Sequence, residues 1–344
     1  MLPTPGRRIA DTGGNTGDPT LDWYTRFAAG GPGQSALYTQ WAAGIVGDAV
    51  VRGLLEELPR PKRQPHLVFA VSRLLGAPEL PYPAWREWVT TNWPALREEI
   101  PRRTVQTNEA GRCAPVTIAL GLIAGPIALL EVGSSAGICL YPDRYSYDFD
   151  GTRLDPVDGP SAVLLHCAIT GEPPLPVAPA DIVWRAGIDL SPLDVTVDAD
   201  RRWLDVSVGP EQVDRRERLH AALDIVRLDP PRQVAGDASD QLAALAASAP
   251  AAATLVILSA GVLVYLSGAE RTRFDSAVAE LQDTAGARWI SLEGAAVLPA
   301  VAERLRQSAA GRPPEAGAVV LALDEHPLAW CSPHGYGLNW LGER

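Results

Sequence analysis

The chain of 344 residues has few cysteines, and their spacing excludes two common uses of this residue. Cys113, Cys139, Cys167 and Cys331 include no CxxC pair, so neither a zinc cluster nor a disulfide framework is expected. A chain of this length can bury a large core without either support. We therefore expect four buried, reduced thiols, no bound metal and a cytoplasmic location.

The sequence also lacks an excess of positive charge and an unbroken apolar run. It has 30 Lys and Arg against 41 Asp and Glu, a net charge of −11, and its basic pairs are small and isolated. Nucleic acid is therefore not an expected partner. The first residues lack the apolar core of a signal peptide. Pro250 and Gly261 interrupt the uncharged stretch 241–269, so no membrane span is expected.

The first part of the sequence has no clear strand pattern. Residues 1–20 are rich in Gly, Pro and Thr, which predicts a disordered tail. Residues 21–125 are predicted to form a helical region. Within it, apolar residues recur at helical spacing through 35–58, which predicts a single helix there. Prolines at positions 65, 83 and 94 are each predicted to begin a further helix.

From residue 126 onward, short apolar runs alternate with helical patterns. The runs predicted to be strands are 127–132, 182–188, 233–235, 254–258, 289–292 and 319–323. This alternation predicts an α/β domain over 126–344, with a parallel sheet covered on both faces. The β-like material at about 145–180 is predicted to be an insertion, and the last run is predicted to open a closing hairpin.

The sharpest motif is a glycine-rich turn after the first apolar run. From Glu131 the sequence reads EVGSSAG, and a helix is expected to begin there. Glycines let the backbone approach a ligand closely, and free N–H groups at a helix start can face a carboxylate or phosphate. Glu131 could then hold an amine or hydroxyl of the same ligand. The alternative is a tight turn that binds nothing.

This E-x-G-x-x-x-G pattern resembles motif I of class I S-adenosylmethionine-dependent methyltransferases. Gly187-Ile188-Asp189 and Gly236-Asp237-Ala238 are similar to the ends of that family's second and third strands. The resemblance implies that the turn holds the methionine part, Asp189 the ribose and Asp237 the adenine. It assigns S-adenosylmethionine contacts to Glu131, Gly133, Ser135, Gly137, Asp189, Asp237, Ala238 and Ser259.

The spacing of these acids is longer than is usual in that family. Either the β insertion lengthens the step from Glu131 to Asp189, or the ribose acid is Asp148 or Asp150. The Gly-Ile-Asp context favours Asp189.

Considered whole, residues 20–344 resemble a large bacterial family of domains whose activity is unassigned. The segments that carry this resemblance include residues 105–113, 131–145, 185–195, 236–238, 289–291 and 327–335. One departure is the end of the fourth strand, where this chain has Leu258-Ser259-Ala260 and the family pattern has His followed by Ser or Thr. The two resemblances together imply an α/β fold: a helical N-terminal region on a Rossmann-like, seven-stranded, mostly parallel methyltransferase-type sheet.

The function that the resemblance implies is methyl transfer from S-adenosylmethionine to a small-molecule acceptor. Orientation in a dry site would supply most of the catalysis, with a base only if the acceptor must lose a proton. The candidate catalytic residues are His334, Glu109 and Asn108. The candidate substrate contacts are Arg112, Tyr265 and Trp330.

Two other classes of function stay open. The turn also reads G-x-S-x-G, the nucleophile-elbow pattern of serine hydrolases, with Ser135 as the nucleophile. His326 or His334, with Asp237 or Asp324, could complete a triad. The third class is a non-catalytic protein that keeps the methyltransferase fold for binding.

Overall fold

The computed structural model of the protein describes residues 18–30, 34–307 and 317–342. Of the tail predicted for residues 1–20, residues 1–17 lie outside the described residues. Pro19 and Thr20 belong to the first helix rather than to a tail. The described chain is a mixed α/β structure with two compact units. The helical unit takes the described residues up to 107 together with 196–220. The sheet unit takes residues 108–195 and the described residues from 221 onward.

Eleven α-helices occur in the described residues. They are α1 (Pro19–Ala28), α2 (Ala36–Gly47), α3 (Ala49–Glu56), α4 (Pro65–Leu74), α5 (Tyr82–Glu99), α6 (Cys113–Leu120), α7 (Asp198–Ser207), α8 (Val213–Leu228), α9 (Ala238–Ala246), α10 (Gly268–Ala285) and α11 (Pro299–Arg306). Helices α1–α5, α7 and the first part of α8 belong to the helical unit. No strand precedes residue 127 in the described part of the chain.

Two of the predicted helix boundaries are wrong. The single helix expected over 35–58 is broken at Asp48, whose carboxylate accepts hydrogen bonds from Val50 N and Val51 N and so caps α3. The break expected at Pro94 does not occur, because α5 continues through it. Burial of Trp85, Trp93 and neighbouring apolar side chains on α5 outweighs the backbone hydrogen bond that proline removes.

The strands form one large sheet and one small one. They are β1 (Ile127–Val132), β2 (Ser146–Phe149), β3 (Thr152–Leu154), β4 (Leu164–His166), β5 (Ala168–Thr170), β6 (Ile182–Asp189), β7 (Arg232–Ala235), β8 (Thr254–Ala260), β9 (Arg288–Glu293), β10 (Val319–Leu323), β11 (His326–Cys331) and β12 (Gly337–Trp340). The large sheet has the order β5-β12-β11-β10-β9-β8-β1-β6-β7, and β3-β2-β4 form the small sheet.

The large sheet is mostly parallel and has nine strands, two more than the seven expected. β7, β6, β1, β8 and β9 pair in parallel, and β10 and β11 form the antiparallel closing hairpin. The two additional strands, β5 and β12, extend the sheet beyond β11. Both are very short, so the sequence gives them little apolar periodicity.

The helix expected after the glycine turn is absent. Two 3₁₀ helices, Ile138–Leu140 and Pro142–Arg144, follow β1 instead. Pro142 explains the difference, because proline disfavours the helical conformation of the preceding residue and cannot donate to a helix. Tyr141 accordingly has φ −119° and ψ 39°, outside the α region. The chain then runs through the small sheet, β2–β4, and through β5 at the far edge of the large sheet, before β6 pairs with β1.

Candidate functional site

Four neighbouring parallel strands end at one edge of the large sheet. β7, β6, β1 and β8 run in the same direction, so the loops that follow them meet there. Open α/β sheets bind ligands outside this edge. Glu131 lies opposite Gly187 of β6, and Asp189 ends β6. The structure thus brings the first two acids of the methyltransferase-like pattern to the same edge.

The glycine turn is held by hydrogen bonds to the side chains of Asp189 and Asn108. Ser135 N donates to Asp189 Oδ2 at 2.9 Å, and the other oxygen of Asp189 accepts from Ser191 N at 2.8 Å. Asn108 Nδ2 donates to Ser135 Oγ at 2.8 Å, and its Oδ1 accepts from Ala136 N at 3.3 Å. These bonds hold Ser135 in the left-handed region, at φ 50°, where a residue other than glycine is uncommon.

The glycines of the turn have a packing role. Gly133 has φ 75°, and a Cβ there would lie 2.4 Å from Val262 Cγ2. Gly137 has φ 76°, and a Cβ there would lie 3.0 Å from Gln233 Nε2 and from Pro231 Cγ. The space beside each Cα is therefore filled by protein atoms. Close packing explains the need for glycine at both positions without a ligand.

Glu131 is a buried acid with hydrogen-bonding capacity to spare. It is 4% exposed, and its Oε2 has no N–H or O–H partner among the described residues. Burial raises the pKa of Glu131 well above its usual range, and the neighbouring Cys139 thiol adds to the effect. The charge of Arg112 opposes it. The Cys139 thiol adjoins this carboxyl but is a weak donor, so the oxygen marks a place where a stronger donor from a ligand could bind.

Glu293, at the end of β9, is a second acid of the same kind, which the sequence analysis missed. Its Oε1 accepts from Val262 N at 2.9 Å and from Leu263 N at 3.2 Å, whereas Oε2 has no partner in the described ranges. Burial raises the pKa of Glu293 to about 7, against these two backbone hydrogen bonds and the charge of Arg112. A signal was present: like Glu131, it ends a buried run and is soon followed by glycine.

Arg112 supplies the positive charge that acts on both acids. Its Nη1 donates at 2.8 Å to the carbonyl oxygen of Ala260, the last residue of β8, and its Nε donates to Pro333 O at 3.3 Å. It lowers the pKa of Glu131 and of Glu293. A guanidinium has five donors, so these two bonds leave donors for an anionic ligand.

The structure brings the three candidate catalytic residues to one neighbourhood. Glu109 directly follows Asn108, and its Oε2 lies 4.0 Å from His334 Nδ1. Glu109 Oε1 accepts from Gly111 N at 3.0 Å. A Cβ on Gly111 would lie 2.3 Å from the carbonyl oxygen of His334, so the loop after β11 packs directly on the 3₁₀ helix that starts at residue 110. The carboxyl of Glu109 and the imidazole of His334 are therefore neighbours, at a distance longer than a hydrogen bond.

The sequence matches the model of a family described as "Uncharacterized protein conserved in bacteria (DUF2332)" over residues 22–340. The chain belongs to this family. No curated protein and no solved structure matches it. In the described part of this DUF2332 protein, no helix has both the length and the apolar character needed to cross a membrane. No group of three or more His, Cys, Asp and Glu side chains in the same ranges could hold a metal ion.

Asp148 and Asp150 lie away from this edge, in and beside the small sheet of the DUF2332 chain. Asp148 accepts from Gly151 N at 2.7 Å and lies 3.2 Å from His166 Nδ1. Asp150 accepts from Ile169 N at 2.7 Å. These contacts stabilise β-turns and strand ends, whereas Asp189 lies at the edge of the large sheet. The location therefore favours Asp189 over both alternatives.

The other residues assigned to the cofactor have clear structural contacts. Asp237 follows β7 and caps α9, which begins at Ala238: its Oδ1 accepts from Ser239 N at 2.9 Å, and its Oδ2 lies 3.6 Å from Arg273. Ser259 is fully buried, and its Oγ accepts from Trp289 Nε1 at 3.2 Å. Their roles toward a cofactor stay predictions.

The remaining candidates differ in their exposure and position. Trp330 is 4% exposed and packs in the core of the sheet unit, whereas Tyr265 is 42% exposed. His326 and Asp324 lie at the β10–β11 hairpin, where Asp324 accepts from Trp289 N near the start of β9. Since β9 runs parallel to β8 and β1, this is the end of the sheet opposite to Ser135. His326 and Asp324 are therefore not placed to form a triad with Ser135.

Proposed function

We propose that this chain binds S-adenosylmethionine at the edge formed by β1, β6 and β7 and transfers the methyl group to a small-molecule acceptor. The observation that carries the proposal is the buried carboxyl of Glu131 beside the glycine turn, whose Oε2 accepts from no N–H or O–H group among the described residues. The ammonium of a methionine moiety is a donor of the right charge.

The strand order supports a Rossmann-like interpretation of the sheet. Within its parallel part the strands follow the order third, second, first, fourth, fifth along the chain, as in doubly wound nucleotide-binding folds. In such folds the ligand binds at the carboxyl edge beside the first strand. This is the edge where Glu131 and Asp189 lie.

The residues of the edge fit the parts of the cofactor. Asp189 uses its two oxygens for Ser135 N and Ser191 N, but a carboxylate has about four acceptor sites, which leaves capacity for ribose hydroxyls. Because 3₁₀ rather than α-helix follows the turn, Arg112 would hold the cofactor carboxylate in place of a helix N-terminus. S-adenosylmethionine, when bound, supplies an electrophilic methyl group.

The protein's part in the reaction is orientation and proton handling. His334, 4.0 Å from Glu109, would supply the imidazole that accepts a proton from an acceptor hydroxyl or amine. The burial of Glu131 and Asn108 keeps water away from the inner part of the edge. Orientation in a dry site is a sufficient source of catalysis for a methyl transfer.

Calorimetric titration with S-adenosylmethionine and with S-adenosylhomocysteine tests this proposal. We expect micromolar binding, weakened at least about tenfold by Glu131→Gln, because a carboxyl can ionise when it meets the ammonium and an amide cannot. Asp237→Asn should also weaken binding if Asp237 contacts the adenine. Asp240→Asn is the matched control, because Asp240 lies in the same first turn of α9. Absence of binding to either ligand by the folded protein would overturn the proposal.

Serine hydrolysis is the second candidate function, favoured by the left-handed backbone of Ser135. A nucleophile elbow holds its serine in a strained turn of this kind. A fluorophosphonate probe that labels the wild-type chain but not the Ser135→Ala variant would support hydrolysis. We expect no labelling, because Asn108 and Asp189 hold Ser135 as part of the turn.

A further inference from the structure

Arg112 and Glu293 contact the same short segment at the end of β8. Arg112 Nη1 donates at 2.8 Å to the carbonyl oxygen of Ala260, and a Cβ on Gly261 would lie 3.1 Å from Arg112 Nη2. Glu293 Oε1 accepts from Val262 N at 2.9 Å. A cation and an anion therefore lie against three consecutive residues at the carboxyl edge of the sheet.

The two side chains leave hydrogen-bonding groups beside this segment. Glu293 is 1% exposed, its Oε1 accepts only from backbone N–H groups, and its Oε2 has no partner in the part of the chain that the structure describes. Arg112 gives two of its five N–H donors to carbonyl oxygens, which leaves three. A ligand that both donates and accepts can satisfy both side chains.

The class of ligand follows from the position of both charges on one segment. An α-amino acid carries an ammonium and a carboxylate on a single carbon atom, so it can meet an anion and a cation that lie close together. A guanidinium is suited to a carboxylate, and an ammonium has only donors, which suits a carboxyl oxygen. A ligand with one of the two charges would leave the other protein group without its partner.

We propose that Arg112 and Glu293 form a subsite for a zwitterionic α-amino acid, with the carboxylate on the guanidinium and the ammonium on Glu293 Oε2. β9, which ends at Glu293, lies on the other side of β8 from β1, the strand that contains Glu131. The subsite is therefore separate from the place proposed for the cofactor ammonium. The three remaining donors of Arg112 are enough for the carboxylates of two ligands.

Amino-acid binding at this subsite does not depend on the proposed methyl transfer. The same ammonium and carboxylate pair also occurs in the methionine part of S-adenosylmethionine, so the experiment has to separate a free amino acid from the cofactor. S-adenosylhomocysteine carries the same methionine-like part and serves as the competitor.

Calorimetric titration of the full chain with each of the twenty standard L-amino acids tests the proposal. At about pH 8 the carboxyl of Glu293 is ionised, since burial raises its pKa to about 7. We expect at least one amino acid to bind with a Kd below about 1 mM. Its N-acetyl derivative and its decarboxylated amine should each bind at least about tenfold more weakly, because each lacks one of the two charges.

Two variants locate the binding. Glu293→Gln should weaken amino-acid binding at least about tenfold, because an amide cannot supply the negative charge. Glu303→Gln is the matched control: Glu303 lies on α11 of the same unit and its side chain is 53% exposed, so binding should not change.

A competition arm separates the two sources of the amino-acid group. With saturating S-adenosylhomocysteine we expect amino-acid binding to persist, and its loss would overturn the proposal of a second ligand. If S-adenosylhomocysteine does not bind at all, the methyl-transfer proposal fails, while the amino-acid titrations still decide this one.

Two results with the wild-type chain would overturn the proposal. One is the absence of binding by all twenty amino acids, and the other is equal binding of the zwitterion and its two single-charge derivatives. Because these comparisons need no substitution, they decide the question even if Glu293→Gln does not fold.

Discussion

The two units treat a buried charge in opposite ways. In the helical unit, the Arg73 side chain is 4% exposed and donates to Val206 O at 2.8 Å, to Tyr38 Oη at 3.2 Å and to Glu79 at 2.8 Å, as well as to a further carbonyl. In the sheet unit, Glu131 and Glu293 are as deeply buried, yet each keeps one oxygen without an N–H or O–H partner among the described residues. The first arrangement stabilises a fold, and the second leaves capacity for a ligand.

The largest effect on stability should come from replacing Arg73, the buried charge that has several hydrogen-bond partners. Arg73→Leu would leave the carbonyls of Val206 and Val208 buried without their donor, so we expect the free energy of unfolding to fall by about 3–5 kcal/mol. Urea denaturation measures this loss. Arg102→Ala is the control, because Arg102 is 62% exposed and should change stability by less than about 0.5 kcal/mol. A similar small loss for Arg73→Leu would remove the contrast between the units.

The second prediction concerns the stability of the sheet unit when Gly133 of the glycine turn is replaced. Gly133→Ala would place a Cβ 2.4 Å from Val262 in a backbone that disfavours side chains, which should destabilise the sheet unit by about 2–4 kcal/mol. Adding Val262→Ala should recover the steric part of the loss but not the backbone strain. A double-mutant cycle by urea denaturation separates these terms. Additive losses would show that Val262 does not explain the glycine.

The smallest effect is the pH dependence of stability that comes from Glu293, whose Oε2 has no hydrogen-bond partner in the described ranges. The pKa of Glu293 is about 7 in the folded chain and about 4.5 when unfolded, so the folded state binds more protons between these values. Stability should therefore fall as pH rises from about 4.5 to 7, by about 2–3 kcal/mol, and level off above. Glu293→Gln should abolish this part of the pH dependence.

The control for this third prediction is Glu98→Gln. The Glu98 side chain is 69% exposed, so its replacement should leave the pH dependence of unfolding unchanged. Denaturant unfolding at several pH values would check both variants. If the free energy of unfolding varies with pH in the same way for wild type and Glu293→Gln, the carboxyl of Glu293 is stabilised by partners in the folded chain, as Arg73 is.

The sequence was a good guide where local pattern and burial agree. The apolar runs predicted β1, β6, β7, β8, β9 and β10, and their parallel order brings Glu131 and Asp189 to one edge. Local pattern failed where a single residue decides a boundary. Asp48 ends one helix and caps the next, and Pro142 prevents a helix after the turn.

The site was only partly predictable, for a physical reason. Asn108, Glu109 and Arg112 were chosen from a polar segment before β1, and they do lie at the turn or beside it. The bond from Cys113 Sγ to the carbonyl oxygen of Cys139, at 3.8 Å, depends on the 3₁₀ helix that replaced the expected α-helix, so no spacing rule could find it. The partnerless oxygen of Glu293 likewise depends on how tertiary packing buries the end of β9.

The pairing of β5 with β12 has a consequence for how the protein is made. Ala168 of β5 pairs with Gly337 of β12, a strand that is synthesised far later in translation. At the usual translation rate of about 5–20 residues per second, on the order of ten seconds or more pass between the synthesis of β5 and the synthesis of β12. During that time its backbone edge is open to other chains, since an unpaired strand is a template for association. The edge of β5 that faces β12 is therefore left without its pairing strand for a defined interval of synthesis.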